Sequence, residues 1–169
     1  MGDKKNLYSK EAIEKLKALA ESADICMFVT NLDKRPMSAR PMSTQEVDDE
    51  GNLWFLSKAS SDKNEEIRDN DEVQLFYSNK TSAEFLSVYG RAVIMRDREK
   101  TKEIWTPMAK AWFTEGIDDP EVSIIQVIPE DTYYWDTKSN KFVSLVKIAT
   151  AVVTGKTMDD GVQGKINVH

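Results

Sequence analysis

Two short stretches carry side chains that could hold an anion. Ser60-Ser61-Asp62-Lys63 opens a predicted short helix, where backbone N–H groups and a lysine suit a phosphate. An ordinary capped surface helix accounts for the same residues, and such helix starts are common. Arg40, in Arg40-Pro41-Met42-Ser43-Thr44, is a cation inside an otherwise weakly polar strand. Its plain alternative is a surface arginine pairing with acids. Trp135, in Tyr133-Tyr134-Trp135-Asp136, offers a flat cover for a ring, although such aromatic clusters also build cores and subunit interfaces. Strand alternation predicts Tyr133 and Trp135 on one face and Tyr134 on the other. Trp105 and Trp112 carry the same ambiguity as Trp135.

What is missing narrows the chemistry. The 169 residues hold one histidine, the last residue His169. Ser-His-Asp and Cys-His nucleophile arrangements, an HExxH zinc site and most His-ligated haem sites are therefore unsupported, and no metal site is expected. Redox or group-transfer chemistry would fall to an organic cofactor. Neither GxGxxG nor a Walker A sequence occurs, so a Rossmann dinucleotide site and a P-loop are unsupported. The one cysteine, Cys26, lies in Ile25-Cys26-Met27-Phe28-Val29 and reads as a buried structural thiol.

With a net charge of −6 and lysines interleaved with acids, the chain lacks the basic face of a nucleic-acid binder. Its 40% hydrophobic and 31% charged residues fit a soluble globular protein, and its length fits one domain over residues 1–169. No secretory h-region and no apolar run of about 18 residues is present, so neither a membrane span nor export is expected and the cytoplasm is the expected compartment.

These residues must be positioned by a succession of short strands. An amphipathic helix is predicted from about Ser9 to Ser22, with Ser9 as cap and Ile13, Leu16, Leu19 and Ala20 as its apolar stripe. Strands are predicted over Asp24–Asn31, Arg35–Thr44, Leu53–Ser57, Glu72–Ser78, Ala83–Arg96, Val122–Ile128 and Thr132–Trp135. Asp62 and Glu65 suggest a capping box, and Gly90 suggests a bulge or bend. Asp97–Trp105 reads as a helix capped by Asp97, and Ala109–Phe113 as a further helical turn. Lys141–Thr154 shows a strong helical period stopped by Gly155. Antiparallel strands with peripheral helices imply a closed or nearly closed β-barrel of mixed β+α character.

In this order the segments resemble the pyridoxamine-phosphate-oxidase-like split barrels. Ser38-Ala39-Arg40-Pro41-Met42 is similar to the family's strand whose arginine and following main chain meet a flavin, and Gly51–Ser57 to the strand that ends along its ring and ribityl chain. Ser61 and Lys63 match the family's serine and lysine at the phosphate, Val88–Ala92 the long strand with its glycine turn, and Pro129 followed by Trp135 the proline-then-tryptophan stretch. Trp112–Gly116, Asp118-Asp119-Pro120 and Thr154-Gly155-Lys156 are similar to the general stress protein branch. The resemblance spans about residues 8–168. It implies a mostly antiparallel split barrel with peripheral α-helices, flavin mononucleotide (FMN) as cofactor, and a homodimer with the flavin at its interface. The cofactor residues it implies are Arg40, Pro41, Met42, Ser43, Leu56, Ser57, Ser61, Lys63 and Trp135; no catalytic residue is assigned.

The departures from pyridoxamine phosphate oxidases proper are also specific. Gln45 replaces a lysine, Asp62 an arginine and Phe85 a glutamine, and the Arg-Leu-His-Asp-Arg stretch after the tryptophan is absent. Two lost cations should weaken the phosphate site, and oxidation of vitamin B6 is not expected. A flavin-dependent oxidoreductase with a small-molecule electron donor and acceptor is the leading expectation. A non-catalytic flavin-binding or flavin-sensing stress protein is the alternative, and an interaction barrel without ligand a third.

Overall fold

A computed structural model of the chain describes residues 3–137 and 161–168. The helix expected at about 141–154, with Gly155 as its stop, lies outside the described residues. The described strands are β1 (Asp3–Lys4), β2 (Leu7–Tyr8), β3 (Ile25–Thr30), β4 (Ser38–Ser43), β5 (Glu46–Val47), β6 (Leu53–Lys58), β7 (Glu72–Asn79), β8 (Glu84–Met95), β9 (Val122–Thr137) and β10 (Gly161–Asn167). The α-helices are α1 (Ser9–Ala23), α2 (Asp62–Asp69) and α3 (Arg98–Ile104), and two 3₁₀ turns follow α3 at Pro107–Ala111 and Gly116–Asp118.

The strands form one sheet in the order β1-β10-β9-β8-β7-β3-β4, with β6 on β9, β5 on β6 and β2 on β10. All pairs are antiparallel except β1 and β2, which run parallel to β10. Strand β9 is the spine. One of its edges pairs with β8; the other pairs with β6 over Val122–Val127 and with β10 over Tyr133–Thr137. One strand serving two partners along a single edge is what splits the barrel. The fold is the expected mostly antiparallel split barrel with peripheral helices.

Inward residues alternate along each strand. Phe28 of β3 meets Phe55 of β6 edge to face, with centroids 5.2 Å apart, and Val73, Leu75, Leu86, Val88, Ile125 and Val127 complete the interior. Helix α1 covers this interior through Ala12, Leu16, Leu19 and Ala20. Complete burial of a side chain such as Leu16 contributes about 1.5–3 kcal/mol. Ile13, expected in the apolar stripe, is only half-buried.

Local chemistry explains where several elements stop. Asp24 and Asn31 flank β3 with φ of 62° and 54°, a region that short polar side chains tolerate better than most. Gly90 sits where β8 shifts register against β9, and a Cβ there would lie 2.2 Å from the carbonyl oxygen of Ile128. This close approach lets pairing continue past Pro129. The segments expected as two strands, Val122–Ile128 and Thr132–Trp135, are therefore one bulged strand.

The expected caps need two corrections. Tyr8, not Ser9, precedes α1, and Ser9 is its first residue. Ser61, not Asp62, is the N-cap residue of α2, without a side-chain cap bond; Asp62 is the first helical residue. Asp97 does cap α3, accepting from the Lys100 N–H at 3.0 Å. Strands β1, β2, β5 and β10 have no counterpart among the expected elements.

Candidate functional site

The end of β6, the loop after it and the start of α2 build a polar cluster. Ser57 is buried and donates to Asn64 Oδ1 at 2.7 Å; Asn64 donates to Ser123 Oγ at 2.9 Å; Ser123 donates back to the Ser57 carbonyl at 2.9 Å. This ring of bonds fixes the β6–α2 junction from within. On its outer side Ser61 Oγ lies 3.3 Å from Ser57 Oγ and accepts from Lys63 Nζ at 3.1 Å. The Lys63 ammonium makes no ion pair among the described residues. Burial and then the nearby Arg40 charge push its pKa below that of an ordinary lysine, although Asp62 and Glu66 oppose the shift.

Arg40 projects from β4 on the face it shares with Phe28 and Thr30. Its guanidinium reaches Thr30 Oγ1 at 2.6 Å and Glu66 Oε2 of α2 at 2.7 Å. Glu66 also accepts from Ser38 at 2.8 Å and from Thr30. Burial alone would raise the Glu66 pKa, but hydrogen bonds from Thr30, Ser38 and Arg40, and the Arg40 charge, bring it below the ordinary carboxylate value. The plain reading of Arg40 as an arginine paired with an acid thus holds within the chain, and the same contact brings Arg40 beside Lys63. Glu66, Thr30 and Ser38 were not among the expected site residues. Glu66 follows Lys63 by three residues, the spacing of neighbours on a helix face, which is the signal that could have found it.

Strand β4 ends the sheet order, and its far edge has no partner strand among the described residues. The Thr44 N–H bonds the Asp24 carbonyl, so alternation turns Met42, Arg40 and Ser38 main-chain groups toward β3 and those of Ala39, Pro41 and Ser43 toward the open edge. Proline fits there because its missing N–H costs no ladder bond. Pro41 and Ser43 are exposed, and Ser43 Oγ donates to Asp24 at 2.9 Å. The Met42 side chain belongs to the core and its main chain pairs with β3, so at the open edge it offers a ligand neither, unlike the flanking Pro41 and Ser43. Leu56 is half-buried, packed against both Trp54 and Phe113 clusters.

The structure does not bring Trp135 to this cluster. Trp135 pairs with Phe85 near the far end of β9, whereas Ser57 pairs with Ser123 near its beginning. Through β8, β7 and β3 it also lies four strand positions from β4, roughly 19 Å around the sheet at about 4.8 Å per strand. Tyr134 is 2% exposed and Trp135 is 42% exposed, as alternation predicts, so Trp135 is not a core residue. It rests against Tyr133, with ring centroids 4.8 Å apart, and borders a shallow apolar depression of about 550 Å³ with Phe76, Phe85 and Leu86. Ile25, Met27, Phe76 and Phe85 are exposed on the same outer face of β3, β7 and β8.

At the positions where the chain departs from the oxidases, Gln45 is tied to the Ser43 carbonyl at 3.0 Å, Asp62 is exposed, and Phe85 joins the apolar face. No helix among the described residues is long and apolar enough to cross a membrane.

Comparison with known proteins agrees with this architecture. A protein from Jannaschia sp. CCS1, named provisionally as a general stress protein 26, superposes with a TM-score of 0.76 over 92% of this chain and 96% of that one, at 25% identity. The general stress FMN/FAD binding protein of Xanthomonas citri has the same fold, with a TM-score of 0.64 over 76% of this chain and 90% of that one, at 23% identity. Protein bli-3 of Neurospora crassa is 28% identical over 112 residues, 62% of this chain, and the chain spans about half (54%) of that protein's length. The family profile described as pyridoxamine 5'-phosphate oxidase like matches residues 11–159. The chain belongs to the pyridoxamine 5'-phosphate oxidase-like family and within it is similar to general stress proteins.

Proposed function

We propose that the protein binds flavin mononucleotide, with the phosphate at Ser61 and Lys63 and the ring system along the open edge of β4. One observation carries this reading: Lys63 is a partly buried ammonium whose sole hydrogen bond among the described residues goes to Ser61, next to a second cation, Arg40. Two positive charges held together in partial burial are relieved by an anion. The donor set therefore fits a phosphomonoester, and the Ala39, Pro41 and Ser43 main chain fits the hydrogen-bonding rim of a flavin.

When bound, the flavin would supply hydride or electron transfer. The chain would bind and orient it: Lys63 and Ser61 hold the phosphate, Arg40 faces the negative charge of a reduced ring, and the Ser57-Asn64-Ser123 bonds keep the junction rigid. We favour a flavin-dependent oxidoreductase whose substrate is unknown. A second reading, in which the protein holds or senses flavin without turning it over, is favoured by Glu66, which already neutralises Arg40.

We further propose a homodimer. The exposed apolar face of Ile25, Met27, Phe76, Phe85 and Trp135 is the kind of patch that subunit contacts cover. Since Trp135 lies away from Lys63 in its own chain, it would serve the flavin of the partner subunit.

Purified protein that retains flavin, or takes it up on titration, supports the binding reading; a folded chain that does neither overturns it. NAD(P)H consumption by flavin-loaded protein with an added electron acceptor supports the oxidoreductase, and its absence across acceptors favours the holding role.

A further inference from the structure

The other side of α2 holds a second concavity. It measures about 480 Å³ and lies between the helix and β8, lined by Ala59, Ile67, Arg68, Ala92, Met95 and Arg96 among others. Lys63 and Glu66 occupy the α2 face toward β4. Arg68, two residues beyond Glu66, turns to the opposite side, so the helix lies between this groove and Lys63, although Ser123 of the buried Ser57-Asn64-Ser123 ring also lines the groove.

The groove exists because β7 is shorter than β8. The β7 ladder ends with Glu72 opposite Arg91, and the Ala92 N–H makes a last bond to the Asp71 carbonyl at 2.8 Å. Main-chain groups alternate sides along a strand, so Ile94, two residues on, turns its N–H and C=O the same way as Ala92. No strand among the described residues stands opposite it there; β9 pairs along the other edge. Ile94, which lines the groove, thus turns toward it a main-chain donor with no partner strand among the described residues.

Two guanidiniums flank that donor, Arg68 from the last turn of α2 and Arg96 from just beyond β8. Neither forms an ion pair among the described residues, although the chain carries a net charge of −6 and Arg91 and Arg98 both find carboxylates. Two acids lie close by, but each has a nearer partner. Asp71 lines the groove itself, and Glu121 has its pKa lowered by hydrogen bonds from Ser60 and then by the nearby Arg96 charge. Asp71 is held by Arg91 at 2.7 Å, and Glu121 accepts both the N–H and the hydroxyl of Ser60. Ile67, Ala92 and Met95 give the groove an apolar wall.

We infer that this groove is a second anion site, for a small molecule with a phosphomonoester or carboxylate head and an apolar body. The head lies between Arg68 and Arg96 and takes the Ile94 N–H; the body lies on Ile67 and Met95. This site is independent of whether the protein binds flavin.

The test is a titration of the full chain, saturated with flavin mononucleotide where it binds, with phenyl phosphate, benzoate and phenol, read by ¹H–¹⁵N shifts. Phenyl phosphate or benzoate should move the amides of Ala59, Arg68 and Ile94, and phenol should not. The double variant Arg68→Ala/Arg96→Ala should weaken binding at least about a hundredfold, about tenfold per charge-assisted contact, while Lys63→Ala leaves it unchanged. Both arginines are exposed, and the thermal midpoint of the variant checks its fold. A shift pattern centred on Ser61 to Asn64, equal binding by the double variant, or no binding of either anion would overturn the proposal. The better of the two anions identifies the head group.

Discussion

Arg40 Nη2 and Glu66 Oε2 are 2.7 Å apart, with side chains only 24% and 19% exposed, and this pair joins the last strand of the sheet to α2. The joint matters because Lys63 sits one turn earlier on the same helix. Holding Glu66 against β4 holds Lys63 near the β4 edge.

Glu66→Gln should therefore destabilise the protein, by about 1–3 kcal/mol, because Arg40 keeps its charge and loses its counter-charge. The pH dependence has a definite sign. The folded carboxyl titrates below its unfolded value, so its contribution is complete above the ordinary carboxylate range and is lost as pH falls through the folded value. Urea unfolding at about pH 7 should separate wild type from variant, and the gap should narrow below about pH 4. A gap that is constant with pH would show that the carboxylate charge does not contribute.

Lys63→Ala should weaken flavin mononucleotide binding much more than riboflavin binding. Burial and Arg40 hold the free ammonium below the ordinary lysine pKa, and a bound phosphate would draw it back up. Where the free ammonium is partly deprotonated, binding should therefore take up protons at Lys63, and affinity should weaken as pH rises through the free-protein value. Equal losses for the two ligands on titration would place the phosphate elsewhere.

Much of this framework was legible in the sequence because it is local. The apolar stripe Leu16-Leu19-Ala20, the alternation through Tyr134 and Trp135, and Asp97 before α3 all act over a few residues. What was not legible depends on distant partners. Strand β10 contains Gly161 and Gly164 and lacks a β-branched run; it exists because β9 pairs along one edge and β1 and β2 along the other. Pro129 reads as a break until Gly90, far away in sequence, is seen to admit the Ile128 carbonyl. In the candidate site Arg40, Ser61 and Lys63 were visible as residue types, but Glu66 acquires its meaning only when α2 packs against β4.

Gly90→Ala should be severely destabilising for this reason. The added Cβ would meet main chain, 2.2 Å from the Ile128 oxygen and 3.1 Å from the Pro129 Cα, and neither can swing away as a side chain could. Overpacking of this kind costs about 1–3 kcal/mol, and more where the backbone must yield. Denaturant unfolding checks it; a variant within about 0.5 kcal/mol of wild type would show that the β8–β9 crossing relaxes freely.

Cys26 should be inert in the native protein. It is 1% exposed, and burial pushes its thiol up to about 12. Since the thiolate is the reactive form, labelling by a thiol reagent at neutral pH should proceed at the rate of unfolding and accelerate in denaturant. Immediate stoichiometric labelling of folded protein would contradict the packing around Cys26.

Trp135 and Lys63 lie apart in one chain, and this separation gives the dimer its strongest test. Trp135 is 42% exposed, so Trp135→Ala should leave the fold largely intact, well short of the roughly 3–5 kcal/mol lost when a core aromatic is truncated. If Trp135 covers the flavin of the partner subunit, the same change should weaken flavin binding by about 1–3 kcal/mol, and Trp135→Phe, which keeps a flat apolar cover, by less. Each single variant then damages both sites of its homodimer. In a mixed dimer of one Lys63→Ala chain and one Trp135→Ala chain, one site collects both lesions. The other is built from an intact Lys63 and an intact Trp135. Mixing equal amounts of the two weak binders and re-equilibrating them should therefore restore wild-type affinity to one site in each mixed dimer, about a quarter of all sites at random re-association, detectable as a tight phase in a fluorescence titration. Were Lys63 and Trp135 to serve the same flavin from the same chain, every site in the mixture would keep one lesion and no tight phase would appear.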